Sequence, residues 1–162
     1  MLIKILVTIL GIFFLLAFES FFMTLCSFSI FIIIIFILMD KINWKKWVFI
    51  TTLISLLIDI IIHRSLGVTL FSVSISISSL YLLFMIMPKE RVVLSYFPYF
   101  ISIFLFYILI IVLTPLIQSG VLGVLTWQII ISSVIKSLVS AVLIWGINMV
   151  MDNFRSNKDI LI

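Results

Sequence analysis

The stretch VVLSYFPYFISIFLFYILIIVL, residues 92–113, contains no charged residue. A transmembrane helix needs about 20 predominantly apolar residues to cross a hydrocarbon core, so this stretch is long enough to span a bilayer. The rest of the chain is similar, because its 162 residues are 65% hydrophobic and 10% charged, with a mean hydropathy of +1.52. A soluble domain is about 45–50% apolar and about 25% charged. The composition therefore indicates an integral membrane protein.

The same composition excludes several classes of function. The chain has one cysteine, Cys26, and one histidine, His63, so an internal disulfide framework and a cysteine metal site are excluded. The basic residues stand in short clusters between apolar runs, which indicates topology and not nucleic-acid binding. The sequence shows no nucleophile–base arrangement and no phosphate-binding glycine loop. We therefore expect no enzyme, no cofactor and no metal.

Charged and turn residues divide the apolar sequence into six predicted spans that form one transmembrane domain with a short polar tail at 152–162. The first two spans are predicted to be separate helices, because one helix over 5–39 would rise roughly 50 Å. Their turn is placed at Glu19-Ser20, with Glu19 as a solvated turn residue. The predicted fold class is all-α, a bundle of six short transmembrane helices. The spans are residues 5–18, 21–39, 47–62, 67–87, 92–113 and 125–151.

The distribution of basic residues predicts the orientation. With both termini in the cytoplasm, eight of the ten basic residues fall on the inner side, as the positive-inside rule requires. These eight are Lys4, Lys41, Lys45, Lys46, Lys89, Arg91, Arg155 and Lys158. The basic aromatic loop that follows the second span is suited to anionic lipid head groups. Its predicted inner-interface anchors are Lys41, Trp44, Lys45, Lys46 and Trp47.

Two ionisable residues lie inside predicted spans, where a charge is costly. Asp59 in the third span and Lys136 in the sixth are predicted at similar depths, within about one helical turn. Two interpretations stay open: a structural ion pair that joins the two helices, or a contact for a substrate, an ion or a partner. Stripes of hydroxyl residues on spans three, four and six are expected to pack against each other.

The third span and the following turn resemble the bacterial rod shape-determining protein MreD family. The resemblance covers Ser55 to Leu82: SLLID at 55–59, a short turn to Leu66-Gly67, and a serine-containing apolar helix that ends in Tyr81-Leu82. The length and the predicted six spans are also similar. Asp59 and Gly67 match the family's pattern, whereas Ser55 stands where the family often has glycine.

The resemblance implies a non-enzymatic scaffold of the cell-wall elongation machinery in the bacterial inner (plasma) membrane. Its implied partners are membrane lipids and an MreC-like bitopic protein, with MreB, RodA and a class B penicillin-binding protein as further associates. Ser55, Asp59, Gly67 and Lys136 are the candidate structural or partner-contact residues.

The chief alternative is a substrate-binding S component of an energy-coupling-factor vitamin transporter, which would also have six short spans. Such a protein is expected to carry an A-x-x-x-A pattern on its first span, and this chain has only Ala17 there. It would also need a polar ligand cavity near the outer side. A small ion-coupled transporter is a third alternative, although no inverted repeat is recognisable.

Overall fold

The computed structural model describes residues 2–39, 41–87 and 92–159, and every regular element in these ranges is an α-helix. For residues 2–5, 7–9, 92–95 and 152–159 it describes the backbone alone. The six helices are α1 (Leu2–Cys26), α2 (Ile30–Met39), α3 (Trp44–Ile61), α4 (Val68–Ile86), α5 (Val92–Ser119) and α6 (Trp127–Asp159). The predicted all-helical class is confirmed.

Three segments within these helices are long and apolar enough to cross a membrane: Val68–Ile86, Tyr96–Ser119 and Trp127–Met151. By contrast, α2 has 10 residues and rises roughly 15 Å, which is about half of a hydrocarbon core. The bundle also presents large apolar side chains outward on several helices, including Phe13, Phe49, Phe71 and Met85. An apolar exterior on long apolar helices indicates a membrane protein, because such a surface is poorly solvated by water.

The predicted break between the first two spans at Glu19-Ser20 is wrong. Helix α1 continues through both residues to Cys26, and the chain turns at 27–29. Ser27 has a φ of 49°, in the left-handed region where helices commonly end. Glu19 is 1% exposed, so it is an internal residue rather than a solvated one. A charged residue within an apolar run need not mark a turn, because the Glu19 carboxylate has hydrogen-bond partners inside the bundle.

Two other boundaries differ from the prediction. Helix α5 continues through Pro115 to Ser119, beyond the predicted end at 113. Helix α6 continues to Asp159, so the predicted tail at 152–162 is helical as far as the structure describes it. Among the cations used for the orientation, Lys4, Lys89, Arg91, Arg155 and Lys158 lie outside the residues whose side chains are described.

The helices form a bundle. Among them, α2 has the most completely buried side chains. Phe31, Ile32 and Phe36 of α2 are each at most 1% exposed. Helix α5 lies between α4 and α6 and packs extensively on both, whereas α2 contacts α1, α3 and α6. Helices α3 and α4 pack against each other, as expected for their hydroxyl stripes, but α6 packs mainly on α5 and α2, so the expected packing of all three stripes together is not formed. A hydrogen-bond contact of 3.0 Å instead joins Ser79 of α4 to Ser102 of α5.

The long uncharged connection between α5 and α6 folds back along α5. A Cβ at Gly123 would overlap the carbonyl oxygen of Ile111 and approach the Pro115 ring at 3.1 Å. Ile111 lies eight residues before the end of α5, which is roughly 12 Å along the helix axis. Glycine at 123 therefore permits this close approach of two backbones.

We expect Gly123→Ala to destabilise the protein by about 1–3 kcal/mol, because the added methyl group must displace the loop from α5. Gly146→Ala is the matched control, since a Cβ at Gly146 meets no atom within 4 Å and the residue is helical. Thermal unfolding of the purified proteins in detergent measures both. Equal unfolding temperatures for the two variants would contradict the close approach.

Candidate functional site

Two buried carboxylates at one end of the bundle cap the N-termini of helices other than their own. Glu19 of α1 accepts a hydrogen bond of 2.6 Å from the Ser29 hydroxyl and one of 2.8 Å from the Phe31 backbone N–H. Ser29 precedes α2 and Phe31 belongs to its first turn. The first four N–H groups of a helix have no partner within the helix, and a negative charge is favoured beside them. Glu19 therefore supplies acceptors to the start of α2 from a neighbouring helix.

Asp59 has the same role for α4. Its Oδ2 accepts a 2.8 Å bond from the Gly67 N–H, and its Oδ1 accepts bonds of 3.2 Å from the Thr69 N–H and 2.5 Å from the Thr69 hydroxyl. The side chain is completely buried. Gly67 has a φ of 96°, which glycine adopts without strain. Asp59 and Gly67, the two residues that match the resembled family, are thus directly bonded.

The backbone of Asp59 also shapes the turn between α3 and α4. The Arg64 N–H donates to the Asp59 carbonyl at 2.8 Å, and the His63 N–H donates to the Ile60 carbonyl at 3.2 Å. His63 has a φ of 56°. This is the pattern of a Schellman motif, in which the left-handed residue is His63 instead of the usual glycine. The turn therefore fixes the backbone position of Arg64 relative to α3.

Arg64 is the cation that the structure places near both carboxylates. Burial lowers the pKa of its guanidinium below the ordinary value, and the charges of Asp59 and Glu19 oppose that shift. Its Nη1 is buried and has no hydrogen-bond partner among the residues that the structure describes. Arginine carries five N–H donors, so part of its donor capacity is unused.

Lys136 contacts Tyr107 and not Asp59, the predicted partner. Its Nζ is 5.9 Å from the centroid of the Tyr107 ring, within the range of a cation–π contact. The Tyr107 hydroxyl in turn accepts a 3.1 Å bond from the Ser29 N–H. Both Asp59 and Lys136 are described, and no salt bridge joins them. The interpretation as a mutual ion pair is therefore wrong: each residue contacts groups on other helices.

A cavity of about 430 Å³ opens at this end of the bundle. It is bordered by the end of α1, the α3–α4 turn, the second half of α5 and the first turns of α6. Two cations line it, Arg64 and Lys136, and neither an aspartate nor a glutamate does. The other polar lining residues are Thr24, Ser27, Tyr107, Gln128, Ser132 and Ser133. We call this space the Arg64 cavity.

The predicted interface anchors lie at the opposite end, and one of them differs from the rest. Lys41, Trp44, Lys45 and Lys46 are exposed. Trp47 is 4% exposed, and its indole N–H donates to the Ile35 carbonyl at 3.1 Å. Trp47 thus packs within the bundle and ties α3 to α2, while Trp44 stacks on its ring at 5.1 Å.

The remaining candidate, Ser55, is a packing residue. It is completely buried, and its hydroxyl donates to the Thr51 carbonyl one turn earlier at 2.6 Å. Sequence reasoning missed Glu19, Arg64 and Tyr107 as members of one site. The signal for Glu19 was present, because a carboxylate within an apolar run needs a partner. In the described part of the chain, no group of three or more His, Cys, Asp or Glu could hold a metal.

Comparisons with family models, with curated proteins and with solved structures each found no match to the chain.

Asp59→Ala should lower the free energy of unfolding by about 1–3 kcal/mol, because it leaves the Gly67 and Thr69 N–H groups buried without an acceptor. Asp59→Asn should cost less, since the amide oxygen still accepts a bond. The control is Ser78→Ala, which removes an exposed hydroxyl that bonds only within α4. Thermal unfolding in detergent measures the stability of the three variants. An unfolding temperature of Ser78→Ala equal to or lower than that of Asp59→Ala would exclude the cap.

A double-mutant cycle tests the assignment of charge partners. We expect Asp59→Asn and Lys136→Gln to be additive within about 0.5 kcal/mol, because these side chains do not touch. Asp59→Asn with Arg64→Gln should instead show coupling of about 0.5–3 kcal/mol, since the two charges attract each other. Coupling that is larger for Lys136 than for Arg64, or rescue by exchanging Asp59 with Lys136, would restore the ion-pair interpretation.

Proposed function

We propose that the chain is a non-enzymatic membrane scaffold of the cell-wall elongation machinery, similar to MreD, that supports rod shape and lateral peptidoglycan synthesis. It acts through protein–protein contacts within the inner membrane. Its six helices form the membrane domain with both termini in the cytoplasm. Its direct partner is an MreC-like bitopic protein, with MreB, RodA and a class B penicillin-binding protein in the same assembly.

The observation that carries this proposal is the hydrogen bond from the Gly67 N–H to the Asp59 carboxylate. The resemblance rests on an aspartate on one span and a glycine in the short turn that follows, and in this chain Asp59 and Gly67 are eight positions apart. The bond supplies a physical reason for the spacing, because the aspartate ends one helix and caps the next. It supports a shared construction of α3, the turn and α4.

The burial of two candidate residues limits where a partner can contact the protein. Ser55 and Asp59 are completely buried, so they support the scaffold from within and do not contact a partner directly. Exposed apolar residues on the helix exteriors, such as Phe13, Phe14 and Phe71, are available in the membrane for such contacts. The scaffold function therefore depends on Asp59 through the fold.

One observation favours the alternative, an S component of an energy-coupling-factor vitamin transporter. The Arg64 cavity has a volume within the range of about 300–1,000 Å³ that is usual for small-ligand sites, and it carries several polar groups. In the proposed orientation it opens toward the outer side. The absent A-x-x-x-A pattern on α1 weighs against this alternative.

Depletion of the protein from the bacterium that encodes it should turn rod-shaped cells into round cells, and re-expression should restore rods. An affinity-tagged chain should co-purify an MreC-like protein from detergent extracts. Asp59→Ala should fail to restore rods in proportion to its loss of folded protein, while Ser78→Ala should restore them fully. Cells that stay rod-shaped but lose uptake of a vitamin would replace the scaffold by the transporter.

A further inference from the structure

An apolar groove on the side of the bundle adjoins the Arg64 cavity. The groove has a volume of about 670 Å³ and lies between the end of α1 and the outer face of α6. Gln128, Ser132 and Lys136 line both the cavity and the groove. The two spaces therefore adjoin each other along this row of α6, one of them more polar and the other apolar.

The polar cavity offers hydrogen-bond donors that the protein itself does not use. Nη1 of Arg64 is buried without a partner, and no described residue accepts a hydrogen bond from the Lys136 ammonium group. The nearby carboxylates of Glu19 and Asp59 are occupied by the N-termini of α2 and α4. Two cations with free donors, and no acidic residue on the cavity wall, fit an anionic group such as a phosphate.

The apolar groove fits a hydrocarbon chain. Phe22 and Phe28 form one wall, and Ile131, Ile135, Val139 and Leu143 form the other. From Ile131 to Leu143 the groove follows α6 for roughly 18 Å, close to the thickness of one leaflet of a hydrocarbon core. Its outer side is open, so a lipid chain can enter laterally from the membrane.

We propose that this site binds one anionic phospholipid, with its phosphate between Arg64 and Lys136 and an acyl chain in the groove along α6. The polar cavity and the apolar groove adjoin at Lys136, so the head group and one acyl chain of the same lipid can occupy both. A soluble phosphate or carboxylate would fill only the polar cavity. The proposal goes beyond the scaffold function and does not depend on it.

The test measures lipid-dependent thermal stability of the 162-residue chain in detergent. A ligand that binds only the folded state raises the unfolding temperature in a saturable way. The probes are dioleoyl phosphatidylglycerol, dioleoyl phosphatidylcholine and inorganic phosphate. We expect phosphatidylglycerol to give a saturable rise of several degrees. The other two probes should give no saturable rise at the same concentrations.

Two pairs of variants locate the binding. Lys136→Gln should weaken phosphatidylglycerol binding about tenfold, as expected for the loss of one charge-assisted contact. Ser78→Ala, on α4 and outside both the cavity and the groove, should leave it unchanged. Val139→Trp should fill the groove and weaken binding at least as much. Ile147→Trp, on an exposed part of α6 outside the groove, is its matched control.

Arg64→Gln is the second variant for the phosphate position, in case Lys136→Gln does not fold. Equal stabilisation by phosphatidylcholine would overturn the selectivity for an anionic head group. Saturable binding of inorganic phosphate with the affinity of phosphatidylglycerol would overturn the lipid in favour of a soluble anion. Unchanged binding in Val139→Trp together with either cation variant would exclude this site.

Discussion

The first N–H groups of a helix need acceptors, and this end of the bundle obtains them from side chains on neighbouring helices. Inside a membrane protein, water is scarce and an unsatisfied backbone group costs several kcal/mol. Glu19 and Asp59 supply the acceptors for α2 and α4 respectively. Each carboxylate also gains from the positive end of the helix dipole. The two caps therefore determine how α1 meets α2 and how α3 meets α4.

The remaining polar contacts at this end follow from those two caps. Asp59 holds the α3–α4 turn through both its carbonyl and its carboxylate, and that turn positions Arg64. Arg64 then feels the charges of both capping residues. Tyr107 accepts a bond from Ser29, the residue that also bonds Glu19, and its ring lies beneath Lys136. One connected set of contacts thus joins all six helices and leaves the donors of the two cations available to the cavity.

The sequence predicted the helices better than it predicted their partners. Long apolar runs identify helices because few other structures satisfy the backbone in lipid. Asp59 and Lys136 are predicted at similar depths, but depth along a span does not determine which helices face each other. Helix α3 packs mainly on α1, α2 and α4, whereas α6 packs mainly on α2 and α5. The prediction of a solvated Glu19 is wrong because its carboxylate accepts hydrogen bonds from Ser29 and Phe31 inside the bundle. Trp47 was expected at the interface, but its N–H found a buried carbonyl on α2.

The bond between Asp59 and Gly67 is part of the fold of the α3–α4 turn. A residue pair that closes a turn and caps a helix is required by the fold, whatever that fold is used for. The resemblance at these positions therefore supports a similar arrangement of α3 and α4 more directly than it supports a shared partner. A partner surface must lie on the exposed helix faces, and a ligand site must lie where polar groups keep unused donors. Only the second condition selects a single place in the described structure, which is the Arg64 cavity with its groove.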